Sequence, residues 1–492
     1  MTITFLGYAC IVIGGMIVIA GSMRHALAFL VLAGLFSGSS AVTLPNGGSS
    51  IPPIYFALAF VYLRILVPHG GFRGVLPDAF RANRWLAVFA LYGAAMAYIG
   101  PRLFAGDIDV YPMRLVARDS LFETHPLAPS SQNMTAGIYM LGTLFVAMAA
   151  WIGTRREDGT RTLVAAVLWA TWLHAVLGIA ALVARGTSFD AVFEFFRNST
   201  YTQFNDQVGN FVRIRGVFAE ASSYAAFGFG LMVANAELWY RSIRSRATGR
   251  AALLMAAVLF FSTSSTSYLG LAAYVSFFFA RALLLPGAVH GRKIESMIAA
   301  MGGFVFLFAV SVALIPNLAE AILDMIARMT VEKSSSESGT QRLFWAMQGW
   351  EAFKASHGLG IGPGSFRSSS GLTAILGAMG AIGIVSFLAY IVAVFQPWRR
   401  SSWGIAEDDR LAVGSAFATA AALSLIPGTL SSANAHPGTN FAIFAGAALA
   451  LRPFWIERKR PVREPRALAT GAHAASPKPE SIDRRGEELP AR

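Results

Sequence analysis

The sequence predicts an all-α, polytopic integral membrane protein: a bundle of about 12 to 13 transmembrane helices with one large helical loop on its outer side. Three observations carry this. The 492 residues are 55% hydrophobic and only 14% charged, with mean hydropathy +0.53, too apolar for a soluble chain of this length. Apolar runs long enough to cross about 30 Å of hydrocarbon recur from end to end. The basic residues, finally, concentrate in alternate loops.

The runs fall near residues 3–20, 26–42, 51–67, 85–100, 135–152, 162–184, 216–237, 251–262, 266–285, 296–315, 371–396, 411–427 and 438–452. The run at 251–262 is short enough to be a broken helix. No Lys or Arg occurs among the first 23 residues, so the start reads as a retained span and not as a cleaved signal peptide. The single cysteine, Cys10, leaves no internal disulfide framework or thiolate cluster to expect.

The net charge of +13 invites a nucleic-acid reading, which its distribution removes. With loops alternating sides, 27 of the 40 basic residues share one side, including Arg155, Arg241, Arg281, Arg399 and the tail. The positive-inside rule names that side cytoplasmic. The N-terminus then faces out and the C-terminus in. The boundaries that follow are an N-terminal bundle (1–315), an outer loop (316–370), C-terminal spans (371–455) and a disordered cytoplasmic tail (456–492). The tail opens with the polybasic ERKRPVREPR, suited to anionic lipid.

The outer loop organises the chain. Residues 317–329 have the spacing of a helix lying along a membrane surface. Residues 342–356 follow as an amphipathic helix with Leu343, Met347, Trp350 and Phe353 on one face, and then comes the turn GLGIGPG. A stretch this polar is expected outside the bilayer. Its glycines, Gly362 and Gly364 among them, would give a hinge, a rigid turn or a close approach to a ligand.

An arginine, an amphipathic helix, then GLGIGPGSF and a new span resembles the large periplasmic loop of the O-antigen polymerase and ligase superfamily. RIRGVFAEASSYAAFG (213–228) resembles the opening of a middle span in that family, and FSTSSTSYLGL (261–271) its serine-rich turn. O-antigen ligases place a histidine shortly after the glycine turn; here the chain reads RSSSG, with Arg367 and Ser368 to Ser370. The exopolysaccharide polymerase branch is therefore the closer likeness. The resemblance implies a metal-independent glycosyltransferase without cofactor in a bacterial inner membrane. It would transfer a growing glycan from undecaprenyl diphosphate onto a lipid-linked repeat unit, with membrane lipid, a flippase and a chain-length-regulating co-polymerase as partners. The alternatives are a ligase handing glycan to lipid A core and a transporter of an anionic solute.

Such a transfer needs cations for the departing diphosphate and a base for the acceptor proton. Arginine suits the first because its planar fork grips phosphate oxygens in pairs and keeps its charge. Arg215, at the mouth of the 216–237 run, is the leading candidate, with Arg213 beside it; the bland reading is an interfacial pair with Glu220. Arg342 and Arg367 flank the glycine turn as substrate-binding candidates, against the reading of solvated surface arginines. Glu220 is the first candidate base, caught between desolvation and the arginines, with a structural ion pair as the alternative. His357 and His436 are the other loop candidates. Asp107 and Asp109 fall short of a metal site, and His174 reads as a hydrogen-bonded bundle residue.

Overall fold

The computed structural model describes residues 2–43, 50–67, 72–113, 122–198, 207–208, 211–285, 287–314, 320, 337–406 and 408–452. The protein is mostly helical, and each of the thirteen apolar runs coincides with a helix. The first part holds α1 (Phe5–Ile19), α2 (Met23–Ala33), α3 (Pro53–Leu66), the short α4 (Leu76–Ala82), α5 (Arg84–Leu103), α6 (Ser131–Thr154) and α7 (Glu157–Ala184). The short α8 (Asp190–Phe196) precedes α9 (Ala221–Tyr240), α10 (Ser245–Phe261), α11 (Ser265–Leu284) and α12 (Gly291–Leu314). Then come α13 (Glu337–Ala355), α14 (Gly371–Phe395), α15 (Arg400–Trp403), α16 (Asp409–Ser424), α17 (Ile426–Ser431) and α18 (Thr439–Ala450). Among the described residues seven helices, fewer than the 12 to 13 spans expected, are long and apolar enough to cross a membrane: α5, α6, α7, α11, α12, α14 and the stretch Asp409–Thr429; several of the other apolar helices are shorter. The expected surface helix at 317–329 and the tail at 456–492 lie outside the described residues.

Local chemistry marks the starts of these helices. Thr4 caps α1 by accepting from the Gly7 N–H, Asp408 caps α16 through the Arg410 and Leu411 N–H groups, and Ser130 with Asn133 forms a capping box on α6. Among the described residues strand is confined to three two-stranded ladders in the connections, the first pairing Thr2–Ile3 with Val42–Thr43.

The long helices alternate in direction, so the connections sort to two ends. Arg155 pairs with Asp78 at 3.8 Å, Arg24 with Asp158 at 3.8 Å, and the Arg410 side chain donates to the Arg155 carbonyl. The arginine-rich turns therefore share one end. The glycine turn, the Thr2–Ile3 ladder and the 185–220 connection share the other.

Between the arginine-rich turns lies a fully buried ion cluster. Glu237 of α9 receives both Nη1 and Nη2 of Arg281 (3.0 and 3.1 Å), the Arg241 guanidinium and the Tyr274 hydroxyl. Arg281 also lies over the Tyr240 ring, and Arg241 donates to the Ser402 carbonyl. Arg452, 1% exposed, donates to the Val394 and Phe395 carbonyls, acceptors left over at the end of α14. The sequence places Arg241 and Arg281 among the basic residues of the loops on one side. Packing instead draws them inward, because Glu237 lies in the apolar stretch one turn before Arg241 and its carboxylate needs partners.

The organising loop also differs from expectation. The turn does not stand clear of the helices but descends beside α14, which is broken at Gly380 (φ 58°, ψ −151°). The break lies nine residues below the start of α14, roughly 13 Å at 1.5 Å per residue. It frees the carbonyls of Gly377 and Ala378 and the N–H of Ala381. The turn satisfies all three, through the Ile361 N–H (2.9 Å), the Gly362 N–H (3.0 Å) and the Gly358 carbonyl (2.9 Å). A Cβ at Gly362 would meet the Met96 carbonyl at 2.4 Å, and one at Gly364 the Gln132 carbonyl at 2.4 Å. The close approach these glycines permit is thus to the protein's own backbone, and the turn is a packed plug where a hinge was one of the expectations.

The buried face of α13 is the one without its bulky side chains. Leu343, Met347 and Trp350 point outward at 65, 46 and 42% exposure, while Gln348, Gly349, Ala352 and Ser356 are the buried face. The small side chains let α13 and α14 pack closely, which outweighs burying the bulky ones.

Gly362→Ala combines a positive φ of 96° with that clash. It should cost more than about 2 kcal/mol of stability, read as a lowered melting midpoint in detergent. Gly303→Ala, where a Cβ meets nothing within 4 Å, should leave the midpoint unchanged. Equal midpoints for the two variants would remove the plug from this account.

Candidate functional site

The glycine-turn end carries two groups of polar side chains. The first lines a cavity of about 460 Å³ among the end of α7, α8 and the segment leading into α9. Its charged lining consists of Arg185, Arg197, Arg213 and Arg215 against Asp190 and Glu194. Four guanidinium groups against two carboxylates leave the lining formally cationic.

Each wall is fixed by backbone geometry. The 197 side chain is held by its Nε donating to the Gly216 carbonyl at 2.8 Å, and its Nη1 lies 4.0 Å from Asp190. That bond ties α8 to the RIRG segment. A tight turn follows, closed by the Phe218 N–H on the Arg215 carbonyl at 2.9 Å. Beneath the segment His174 and Tyr224 clasp α7 to α9: the His174 ring stacks on Tyr224 at 4.0 Å, and the Tyr224 hydroxyl donates to the His174 carbonyl at 3.0 Å. Glu220 sits at the N-cap position of α9, half-buried, and receives the Ser222 hydroxyl at 2.7 Å.

The second group surrounds the plug. The Arg367 guanidinium lies 4.6 Å over the Trp345 ring, and its backbone N–H donates to the Tyr111 carbonyl at 3.0 Å. Arg342 is half-buried, and its carbonyl accepts the Ser369 hydroxyl. The Ser368 N–H meets the Ala433 carbonyl, which brings the 431–438 connection and His436 to this side of the bundle. His436 sits edge-on to Tyr139 at 5.6 Å, and its Nδ1 is buried without a hydrogen-bond partner. Burial pulls its pKa down to about 4, so the ring is neutral at physiological pH. His357 lies apart from both groups, exposed at the lower edge of α13 in a left-handed conformation (φ 51°).

The sequence-derived candidates therefore divide. Arg213 and Arg215 share the cavity; Arg342, Arg367 and His436 share the plug surround; Glu220 sits on the turn below Arg215; His357 joins none of them. Gly362 and Gly364 hold the plug. The cavity is walled by α7 and α8 as well as by the approach to α9. Arg185 and Arg197 are the cavity residues the reading missed as candidates. Arg185 directly follows the apolar run ending at residue 184, the same mouth-of-span signal that singles out Arg215. The serine-rich turn after α10 is buried, with the Ser262 and Ser267 hydroxyls 2.7 Å apart and the Thr263 and Ser264 hydroxyls without partners.

The His436 shift gives a pH prediction. The unfolded histidine takes a proton below about 6.5 while the native ring resists it down to about 4, so native stability falls as pH drops through that window. His436→Phe should lose distinctly less of its thermal midpoint between pH 6.5 and 4 than the parent protein; parallel curves would dismiss the assignment. No family model matches the chain, and no curated protein matches it either.

Proposed function

We propose that this protein is a membrane glycosyltransferase of the lipid-linked type. It polymerises an exopolysaccharide or O-antigen repeat at the outer face of a bacterial inner membrane, with its C-terminus cytoplasmic. The observation that carries the reading is the arginine cavity at the end of the bundle opposite the arginine-rich turns. By the positive-inside rule that end faces outward, where a lipid-linked glycan would be presented. The resemblance of residues 213–228 and of the glycine turn to the O-antigen polymerase and ligase superfamily supplies the reaction.

In that reaction an acceptor hydroxyl oxygen of one lipid-linked repeat attacks the anomeric carbon of the growing glycan. The bond from that carbon to the diphosphate breaks, and undecaprenyl diphosphate leaves with the electron pair. Arg215 and Arg213, with Arg197 and Arg185 behind them, would neutralise the diphosphate as its charge grows. Bidentate guanidinium contacts are strongest where charge develops in a water-poor cavity. Glu220, next to the cavity and already accepting a hydroxyl hydrogen bond, would take the acceptor proton. The chemistry needs no metal or nucleotide, because the leaving group carries its own activation. The buried Glu237, Arg241 and Arg281 cluster occupies the opposite end, which favours a one-sided active site over a path through the bundle for an anion.

Arg215→Ala should reduce polymer formation by about a hundredfold or more in vesicles supplied with lipid-linked repeat. Arg215→Lys should recover little, since a point charge cannot reproduce the fork. The readout is the ladder of chain lengths on lipid, with the thermal midpoint as a folding control. Full activity in the lysine variant would end the bidentate role. Glycan delivered only to lipid A core would make the protein a ligase, and passage of labelled anion with lipid-linked sugar untouched would make it a transporter.

Sidedness has its own test. In a Cys10→Ala background, Leu343→Cys places a thiol at a position 65% exposed beside Arg342. A membrane-impermeant maleimide applied to intact spheroplasts should label it. Labelling only after lysis would put the cavity on the wrong leaflet.

A further inference from the structure

The arginine-rich end buries more positive charge than its acids answer. Arg241, Arg281 and Arg452 are 2, 2 and 1% exposed, and among the described residues Glu237 is the one carboxylate that pairs with any of them. Arginine keeps its proton when buried, so none of the three becomes neutral to relieve the imbalance. Glu237 is taken up by Arg241 and Arg281. The bonds of the Arg452 side chain go to backbone carbonyls alone.

Only part of the Arg452 guanidinium is used. Its Nη2 donates to the Val394 and Phe395 carbonyls at 2.7 and 3.0 Å, while Nε and Nη1 are buried without a hydrogen-bond partner. The charged groups that act on it, Arg399 and Arg241, are both positive. Arg399 is half-buried, and among the described residues its guanidinium has neither an ion pair nor a hydrogen bond. Gln396 belongs to the same turn: its carbonyl accepts the Arg399 N–H at 3.0 Å, and it directly follows Phe395, an acceptor of Arg452. Its backbone is left-handed (φ 52°), and its side-chain oxygen is buried without a partner. Turned about its last bond, that amide offers two N–H donors in place of the oxygen. Ser402 clamps the turn, donating from its hydroxyl to the Phe395 and Gln396 carbonyls at 2.6 and 2.9 Å and accepting from Arg241 at 3.0 Å.

We propose that the end of α14 is an oxyanion site, in which a phosphate group enters between Arg399 and Arg452 and is held by their guanidinium forks with the Gln396 amide beside them. It lies at the opposite end of the bundle from the arginine cavity and does not depend on the reaction proposed for that cavity. Planar guanidinium donors match phosphate oxygens in pairs, and bonds between two ionised partners are the strong ones. An anion there supplies acceptors to the bare Nε and Nη1 and reduces the repulsion between two arginines that have no carboxylate partner. Held by Arg399 after the end of α14 and by Arg452 after the end of α18, it ties these two helix ends together. Inorganic phosphate in solution and the headgroup phosphate of an anionic lipid offer the same chemistry. Trp398, 68% exposed beside Arg399, is the kind of side chain that sits at headgroup level.

The test uses the full-length protein in detergent, in an Arg215→Ala background so that anions at the outer cavity contribute little. The thermal midpoint is followed against inorganic phosphate or a short-chain phosphatidylglycerol, with sodium chloride at matched ionic strength as reference. At least one of the two ligands should raise the midpoint saturably, as a ligand of the folded state does. Arg399→Gln removes a fork that has no partner to lose and should weaken that binding about tenfold or more, the loss of one charge-assisted pair. Arg452→Gln should do the same, and where it lowers the midpoint too far to be read, Arg399→Gln decides. Arg400→Gln, at the exposed neighbour, should leave the affinity unchanged. A response to phosphatidylglycerol alone assigns a lipid headgroup, and a response to inorganic phosphate assigns the dissolved anion. No shift beyond that of chloride would overturn the proposal, as would equal affinity in Arg399→Gln and its parent or an equal loss in Arg400→Gln. So would a tenfold gain in Glu457→Gln, since the acid five residues beyond Arg452 would then be the group that fills the site. Polymer formation plays no part in the readout, so each of these outcomes is separate from the fate of the glycosyltransferase reading.

Discussion

Three backbone hydrogen bonds between the glycine turn and the broken middle of α14 are the constraint on which the glycine-turn end depends. A helix interrupted within an apolar bundle cannot leave its carbonyls and amides bare, since no water is there to take them. The turn at 358–362 fits the gap by offering one acceptor and two donors where α14 lacks them. Around that exchange the rest of the end assembles. Tyr92 donates to the Leu359 carbonyl at 2.8 Å and Asn133 to the Pro363 carbonyl at 3.0 Å. The Tyr111 N–H donates to the Gln348 side chain at 3.2 Å. α5 and α6 are therefore both anchored on one loop, and Arg367 follows directly from it.

The two ends of the bundle treat charge in opposite ways. At the arginine-rich end, guanidinium groups are fully buried and held by Glu237, by Tyr274 and by carbonyls left over at helix termini. Breaking one member there would strand the others without water, so the cluster ties α9, α11 and the α15 region into one arrangement. At the glycine-turn end four arginines line open space instead.

The positions of the apolar helices were legible because apolar length is a strong signal, although among the described residues seven helices, not the 12 to 13 expected, are long and apolar enough to cross a membrane. Arg213 and Arg215 were legible as candidates because arginines at the mouth of an apolar run stand out. Arg185 and Arg197 were not, since their relevance comes from α8 folding back across the end of α7. The fate of Arg241 and Arg281 was hidden for a similar reason. Both count with the basic turns along the chain, and only the approach of α9 and α11 shows that Glu237 claims both. In α13 the apolar spacing identified the helix, while its buried side was set by the close fit of Gly349 and Ala352 against α14.

Sequence alone determined that the chain is mostly helical and apolar, where its apolar helices lie and which residue types are available for handling an anion, because those follow from hydropathy and charge along one dimension. Tertiary structure decided that the glycine turn is a plug, that α14 is broken where the plug enters, and that four arginines separated by up to thirty residues enclose one cavity. These outcomes depend on which backbone groups lack partners and on which helices approach one another. Such quantities exist only once the chain has closed on itself.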